Sequence, residues 1–573
     1  MTDSNHLPVR MSSSDVVAHA GQGHSLIARG MEAVLRTNDP VLAADHESIY
    51  RRARETHDHL IELGDKTGFN AVWTQKNLDD LQETLAAFHE LADHEYGKAY
   101  FPLSLFYSGG RSFPAHVEKA RHYAKLALEW CTARQDMEDP EIWNDLGRLY
   151  WLGEVIETDY AQALYWYQKA AEKGLAQARY NLAALYQNGQ GVMQDYQQAV
   201  SWYIQAAEQG HTRAQYALGT LYYCGNGVPQ DYKQAAFWYR MGAEQGNAWA
   251  QLSLGYMFEH GQGIDRDYEQ ASAWYQLAAQ QGLARAQFNL GAMHNSGQLI
   301  TQDPQQARFW FLKAAEQENA QAQFALGNLY DKGQGVPYDY QEAAYWYGKA
   351  ARQGHLRAQY AMANYCAKGR GVTQDFEQAF HWYEKVAEQG HAEAQFHLGS
   401  LYEKGQGTRQ DYPKAAFWYG KAAEQNLAQA QLHLGYLYNN GLGVTQDDQQ
   451  AIFWFCKAAE QGDVQAQYTT GMMYSIGQGV EQNHQEAMLW FRKAAEQGQA
   501  EAQFHTGWMY SHGLGTEQNE HQAVYWYRKA AQQGETRALE HLKALGIGTR
   551  DQVDPAAWER LKEFTLSWDT PEE

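Results

Sequence analysis

Apolar positions along the chain follow two superposed periods. Within Thr212 to Gln245, small and apolar residues fall three and four apart, first at Ala214, Leu218, Gly219, Leu221 and Tyr222, then at Ala235, Trp238, Tyr239, Gly242 and Ala243. That spacing lines one face of an α-helix, so the stretch predicts two amphipathic helices, roughly Thr212 to Cys224 and Tyr232 to Gln245. Between them, Gly225, Asn226, Gly227, Val228, Pro229 and Gln230 break both neighbours. The second period is longer: eleven tryptophans, Trp166, Trp202, Trp238, Trp274, Trp310, Trp346, Trp382, Trp418, Trp454, Trp490 and Trp526, stand 36 residues apart without insertion or deletion. One two-helix unit has been copied end to end, which predicts an all-α array with eleven copies from Asp139 to Gly534.

The punctuation of each copy agrees with this. Asp195, Asp231, Asp267, Asp339, Asp375 and Asn483 precede the second helix, placed to accept hydrogen bonds from its first-turn amides, and Gln or Glu three residues on suits a capping box. The same helix ends in glycine at Gly210, Gly246, Gly390, Gly462 and Gly498, where a left-handed conformation is free of strain; Glu318 and Asn426 stand at that position in two copies. Gly219 recurs in mid-helix as Gly255, Gly291, Gly327, Gly399, Gly435, Gly471 and Gly507. A mid-helix glycine costs about 1 kcal/mol relative to alanine, so close approach of the paired helix is expected there, with the tryptophan indole as the neighbour. Trp202, Trp238 and Trp274 are thus expected in the seam between helices.

Outside the eleven copies the pattern weakens. Residues 98–138 read as a divergent repeat, with Ala120 standing 43 residues before Ala163 instead of 36. Residues 46–97 carry helical patterns outside the register, and residues 1–45 read as disordered. Residues 535–573 read as capping helices with Lys543 in place of the mid-helix glycine, followed by an acidic tail.

Composition narrows the partners. The formal net charge of −22 repels phosphate backbones and anionic lipid, which argues against nucleic acid and membrane surfaces. No stretch is long and apolar enough for a transmembrane span, and no basic start precedes an apolar run as in a secretory signal, so a cytoplasmic location is expected. Cys131, Cys224, Cys366 and Cys456 occupy different repeat positions without CxxC spacing, which suggests neither a disulfide ladder nor a zinc site.

The run from Ala214 to Gly246, with Leu218, Gly219, Leu221, Tyr222, Gly225, Gly227, Val228, Asp231, Tyr232, Ala235, Trp238, Tyr239, Ala243, Glu244 and Gln245, resembles the Sel1-like repeat. The resemblance is dense over Asp139 to Gly534. It implies a right-handed α/α superhelix of antiparallel helix pairs, related to tetratricopeptide arrays, in proteins that act as adaptors and assembly scaffolds. Some relatives are exported and rich in disulfides; this chain lacks a cysteine pair per repeat.

Copies also show where specialisation sits. Positions that hold the fold stay alike, whereas Arg213, Ala217, Thr220 and Cys224 differ from copy to copy and form one stripe of the first helix, at i, i+4, i+7 and i+11. By analogy with tetratricopeptide arrays this stripe lines the inner surface. Its candidate partner-binding residues are Trp249, Tyr256, His260, Arg285, Asn289, Asn328, Arg357, Asn364, Glu393, His397, His433, Tyr436, Glu501, His505 and Trp508. Trp249, Tyr256, Tyr436 and Trp508 are the expected anchors, since Trp, Tyr and Arg dominate interface hot spots; the alternative use of these rings is packing against neighbouring first helices. Gln215 recurs as Gln251, Gln287, Gln323, Gln359, Gln395, Gln431, Gln467 and Gln503, either as an amide ladder for a peptide backbone or as a bridge between units.

No catalytic constellation recurs, the paired glycines of the loop lack the Lys-Ser/Thr that follows a phosphate loop, and the histidines lack metal-ligand spacing. No cofactor or metal is therefore expected. The chain reads as a non-enzymatic scaffold for a protein or peptide, with an exported factor binding host proteins or envelope glycans, or an activity in the N-terminal region, as the competing readings. Oligomeric state is not encoded in these patterns.

Overall fold

Each second helix starts where a side chain satisfies its orphan amides. Asp231 accepts hydrogen bonds from the backbone N–H groups of Lys233 and Gln234 at 2.8 and 3.1 Å, and Asp195 does the same for Gln197 and Gln198. First helices have caps of their own that the sequence pattern did not disclose: His211, His355 and His391 accept from the amide three residues on through Nδ1, and Asn247, Asn319 and Asp463 do so through oxygen. Both helices end in a left-handed residue, with φ of 75° at Gly225 and 89° at Gly246. Glu318 and Asn426 take that conformation as well, with φ of 61° and 66°.

The computed structural model describes residues 46–54, 56, 75–94, 96–108, 116–153, 156–297 and 302–544. The expectations for residues 1–45 and for the acidic tail lie outside the described residues. Among the described residues the secondary structure is entirely helical, and from Pro140–Leu152 to Glu520–Gln532 twenty-two successive helices are each 13 residues long. They form antiparallel pairs, the α/α solenoid with a 36-residue repeat. The chain divides into two units, Met1–Asp339 and Tyr340–Glu573.

In the first unit, helix Gln75–Asp93 and helix Tyr100–Tyr107 share a core of Phe88, Leu91, Leu103 and Phe106 with Tyr50 and Ala53. This N-terminal region is tied to the first full repeat by charge: Arg54 pairs with Asp145 at 3.4 Å, and Lys98 lies 3.2 Å from Glu141 and 3.4 Å from Asp139. In the second unit, the last helix among the described residues, Thr536–Ala544, buries Ala538 and Leu542 against Phe504, Ala523, Tyr527 and Ala530. Lys543 stands on it where most earlier copies have glycine and two have alanine, Ala183 and Ala363.

The mid-helix glycines correct one expectation. The ring over Gly219 is not an indole but Tyr239, the residue after the tryptophan, and the same pairing joins Gly255 to Tyr275, Gly291 to Phe311 and Gly471 to Phe491. Gly327 is buried at the same position. The indoles do a different job. Trp490 and Trp526 are 7% and 6% exposed and pack on Ala458, Ala459 and Ala466, and on Ala494, Ala495 and Ala502, respectively. In each set two alanines end the preceding second helix and the third begins the next first helix, so the tryptophan closes the joint between repeats. Trp238 and Trp274 pack likewise but remain partly open, as does Trp202. Consecutive residues thus serve two seams, because neighbouring side chains on a helix diverge by about 100°.

Where the loop carries a second glycine, that residue also acts between repeats. A β-carbon on Gly227 would stand 2.6 Å from the backbone of Tyr196 at the start of the preceding second helix, and Gly263 stands in the same relation to Tyr232. The turn seats each loop on the repeat before it.

Candidate protein-binding face

The glutamine ladder is consumed by the fold. Gln215 is fully buried; its amide donates to Ala207 O in the preceding repeat at 3.1 Å and its oxygen accepts from Gln245 at 2.9 Å. Gln251, Gln287, Gln395, Gln431, Gln467 and Gln503 repeat both bonds. A buried amide without partners costs about 1–3 kcal/mol, so this position is a bridge between units and not a ladder for a ligand.

In several repeats the ring that follows the tryptophan is a tyrosine and reaches further. Its hydroxyl meets first-helix side chains: on the variable stripe, Tyr239 donates to Thr220 at 3.2 Å and Tyr383 to Asn364 at 2.9 Å, and beside the stripe, Tyr275 donates to Glu259 and Tyr419 to Glu403, both at 2.6 Å. Burial raises the phenol pKa of Tyr275 and Tyr419, with the neighbouring carboxylate adding to it, so these hydroxyls remain donors.

The candidate residues divide accordingly. His397 and His505 are packed between repeats, stacking on Tyr383 and Phe491 at ring separations of 5.0 and 5.1 Å. Burial pushes the His505 pKa down to about 4, with Arg537 contributing in the same direction. His433 sits over Tyr419 and lies 3.4 Å from Glu403. Asn364 holds Tyr383, and Asn289 lies against the Tyr275 hydroxyl. Arg285, Arg357, Glu393, Glu501 and His260 are exposed, and Asn328 is half-buried. His260 and His512 each stack on the aromatic residue one turn earlier, Tyr256 at 4.0 Å and Trp508 at 4.6 Å.

All four expected anchors are half-buried. Trp249 and Tyr256 line a cavity of about 260 Å³ with Arg285 and Asn289, and Trp249 also lines an adjoining one of about 420 Å³ with Arg213 and Tyr216. In the second unit Trp508 and His505 line a cavity of about 490 Å³ with Met472 and Ile476. Tyr436 is held to its neighbours, its hydroxyl meeting Thr469 and Gln465 at 3.4 and 3.3 Å. Among the described residues no group of His, Cys, Asp and Glu is placed to hold a metal ion.

A second regular surface escaped the sequence reading. The residue before the tryptophan is a large exposed ring in six repeats, Tyr165, Phe237, Phe309, Tyr345, Phe417 and Phe453, and a half-buried one in a seventh, Tyr525. A lysine four residues on lies over several of these rings, as Lys169 over Tyr165 at 5.2 Å and Lys529 over Tyr525 at 4.6 Å. The recurrence was present in the sequence, but only burial shows that this ring faces outward while its two successors face inward.

The Sel1 repeat model matches eleven segments, residues 144–175, 176–211, 212–247, 250–283, 284–319, 320–355, 356–391, 392–427, 428–463, 464–499 and 500–535. The chain belongs to the Sel1 repeat family. Proteins built from Sel1 repeats are generally interaction scaffolds and generally non-catalytic. Among solved structures, this Sel1 repeat array is similar to a protective antigen of uropathogenic Escherichia coli strains, with 34% identity and a TM-score of 0.68 over 77% of this chain and 94% of that one. A Sel1 repeat protein from Oxalobacter formigenes shares 35% identity over 54% of this chain and 89% of its own, with a TM-score of 0.45. Among curated proteins, none matches the chain. No helix among the described residues is long and apolar enough to cross a membrane.

Proposed function

We propose that this Sel1 repeat protein is a cytoplasmic, non-enzymatic adaptor that holds a protein or peptide segment along the variable stripe of its first helices. One observation carries the reading: residues at the non-repeating positions of successive copies, Asn188, Arg213, Thr220, Trp249, Tyr256 and Arg285, line two adjoining cavities beside the repeating rings of Tyr203 and Tyr239, whereas the repeating Gln, Gly and Trp positions are spent on holding repeats together. Preorganisation by the solenoid lowers the ordering cost of binding, so several modest contacts suffice. Replacing Trp249, Tyr256, Tyr436 and Trp508 together with alanine is expected to abolish partner capture while helical content by circular dichroism is retained. Undiminished capture by that variant would sink the proposal.

A second reading is an exported factor that engages host proteins or envelope glycans. It is favoured by the likeness to a protective antigen of a uropathogenic strain. Cell fractionation with detection of the intact chain separates the two: recovery outside the cytoplasm supports export.

A further inference from the structure

The two adjoining cavities in the first unit share Tyr216 and Trp249, so they form one groove that crosses four successive repeats. Its chemistry is lopsided. A guanidinium stands in each half, Arg213 in one and Arg285 in the other, and no Asp or Glu lines either cavity, although the chain as a whole carries a net charge of −22. Glu259, one repeat on from the groove residue Tyr223, is held by the Tyr275 hydroxyl at 2.6 Å. Arg285 is exposed, and the described residues contain no carboxylate paired with it. The rings of Tyr216 and Trp249 are common to both halves and Tyr256 lines the half with Arg285, all three half-buried, and Asn289 adds an amide that matches a peptide group in both donor and acceptor.

Resting on the scaffold reading, we infer that this groove takes an extended acidic peptide segment in which carboxylates flank an aromatic or aliphatic side chain. The carboxylates meet Arg213 and Arg285 in charge-assisted, fork-like hydrogen bonds, and the apolar side chain packs on Trp249. Two cations, one in each half of the groove, suit a few carboxylates. They do not suit a polyphosphate backbone, which needs a continuous basic track to offset the repulsion of an acidic chain.

The test uses the full chain and fluorescence anisotropy with the labelled peptide acetyl-Gly-Glu-Asp-Phe-Asp-Glu-Gly-amide, its isostere with Gln and Asn replacing Glu and Asp, and a labelled oligothymidylate. The acidic peptide is expected to bind about tenfold or more tightly than the isostere, as one or two charge-assisted bonds imply. Arg213→Glu with Arg285→Glu is expected to remove that preference with the circular dichroism spectrum unchanged, and Trp249→Ala to weaken both peptides. Should the double variant fail to fold, Arg285→Gln alone, at an exposed position, is expected to narrow the preference. Equal binding of the two peptides, an unchanged preference in the arginine variants, or tighter binding of the oligonucleotide overturns the inference. Equal binding that still depends on Trp249 leaves the scaffold reading intact. If no peptide binds, the inference falls, and the scaffold reading is judged separately by partner capture with the four-aromatic variant.

Discussion

The ring of Tyr275 occupies the space that a side chain at Gly255 would need: a β-carbon there would stand 2.8 Å from two ring carbons. Tyr275 is fully buried and fixed at its far end by Glu259, so it has no room to retreat. Gly255→Ala gains about 1 kcal/mol of helix propensity but forces a core ring out of place, which costs about 1–3 kcal/mol. Net destabilisation in urea unfolding is expected. Gly420 is the control, since it lies in a helix interior and a β-carbon there would meet nothing within 4 Å. Gly420→Ala is expected to stabilise by about 0.5–1 kcal/mol.

The glutamine bridge makes a graded prediction. Gln431 donates to Ala423 O at 3.1 Å and accepts from Gln461 at 2.7 Å, whereas the Gln359 amide donates to Ala351 O at 3.2 Å and its buried oxygen has no hydrogen-bond partner. Gln431→Leu removes two hydrogen bonds, although the Ala423 carbonyl keeps Asn426 N–H and the Gln461 amide keeps Asn426 Oδ1, and is expected to cost about 1–2 kcal/mol; Gln359→Leu removes one and is expected to cost less. Chemical denaturation of the two variants decides it. Equal losses would mean that the second bond contributes nothing.

Trp490 joins two repeats, so its loss is expected to act on coupling as well as on total stability. Trp490→Ala is expected to cost about 3–5 kcal/mol. In a solenoid, stability is a sum of repeat and interface terms, so weakening one interface broadens the unfolding transition or splits it. Hydrogen exchange by mass spectrometry should show lost protection centred on Ala458, Ala459 and Ala466, with distant repeats unaffected.

Acid sensitivity follows from His505. Its ordinary pKa of 6.5 is pushed down to about 4 in the folded chain, chiefly by burial against Phe491 and Phe504 and further by Arg537. Above pH 6.5 both states are neutral and no penalty arises. Between pH 6.5 and about 4 the unfolded chain takes up the proton and the folded chain does not, so stability falls as pH is lowered through that window and then levels off. The full effect is about 3 kcal/mol. His397 and His355 are shifted downward for the same leading reason and add to it. Thermal unfolding of the wild type and His505→Gln across this range should show a shallower decline in the variant.

Much of this architecture was written in one dimension. The 36-residue recurrence of tryptophan set the number and register of the copies, and the caps Asp195 and Asp231 and the terminal glycines marked the second helices. These are local signals, because a cap or a left-handed turn depends on residues within a few positions of itself. Histidine caps such as His211 escaped because an imidazole accepting from an amide leaves no compositional mark.

What only the tertiary structure decided is which long-range neighbour each residue meets. Trp238 and Tyr239 are adjacent, equally large and equally periodic, and nothing in their order says that the tyrosine covers Gly219 while the indole closes the joint between repeats. Likewise His505 and Trp508 share a stripe of variable positions, yet His505 stacks on Phe491 of the preceding repeat and both residues line the same cavity. Periodicity assigns a side chain to a face of its helix. The roughly 100° step between neighbours, and the packing of the next repeat against that face, determine whether the side chain is spent on the fold or left for a partner.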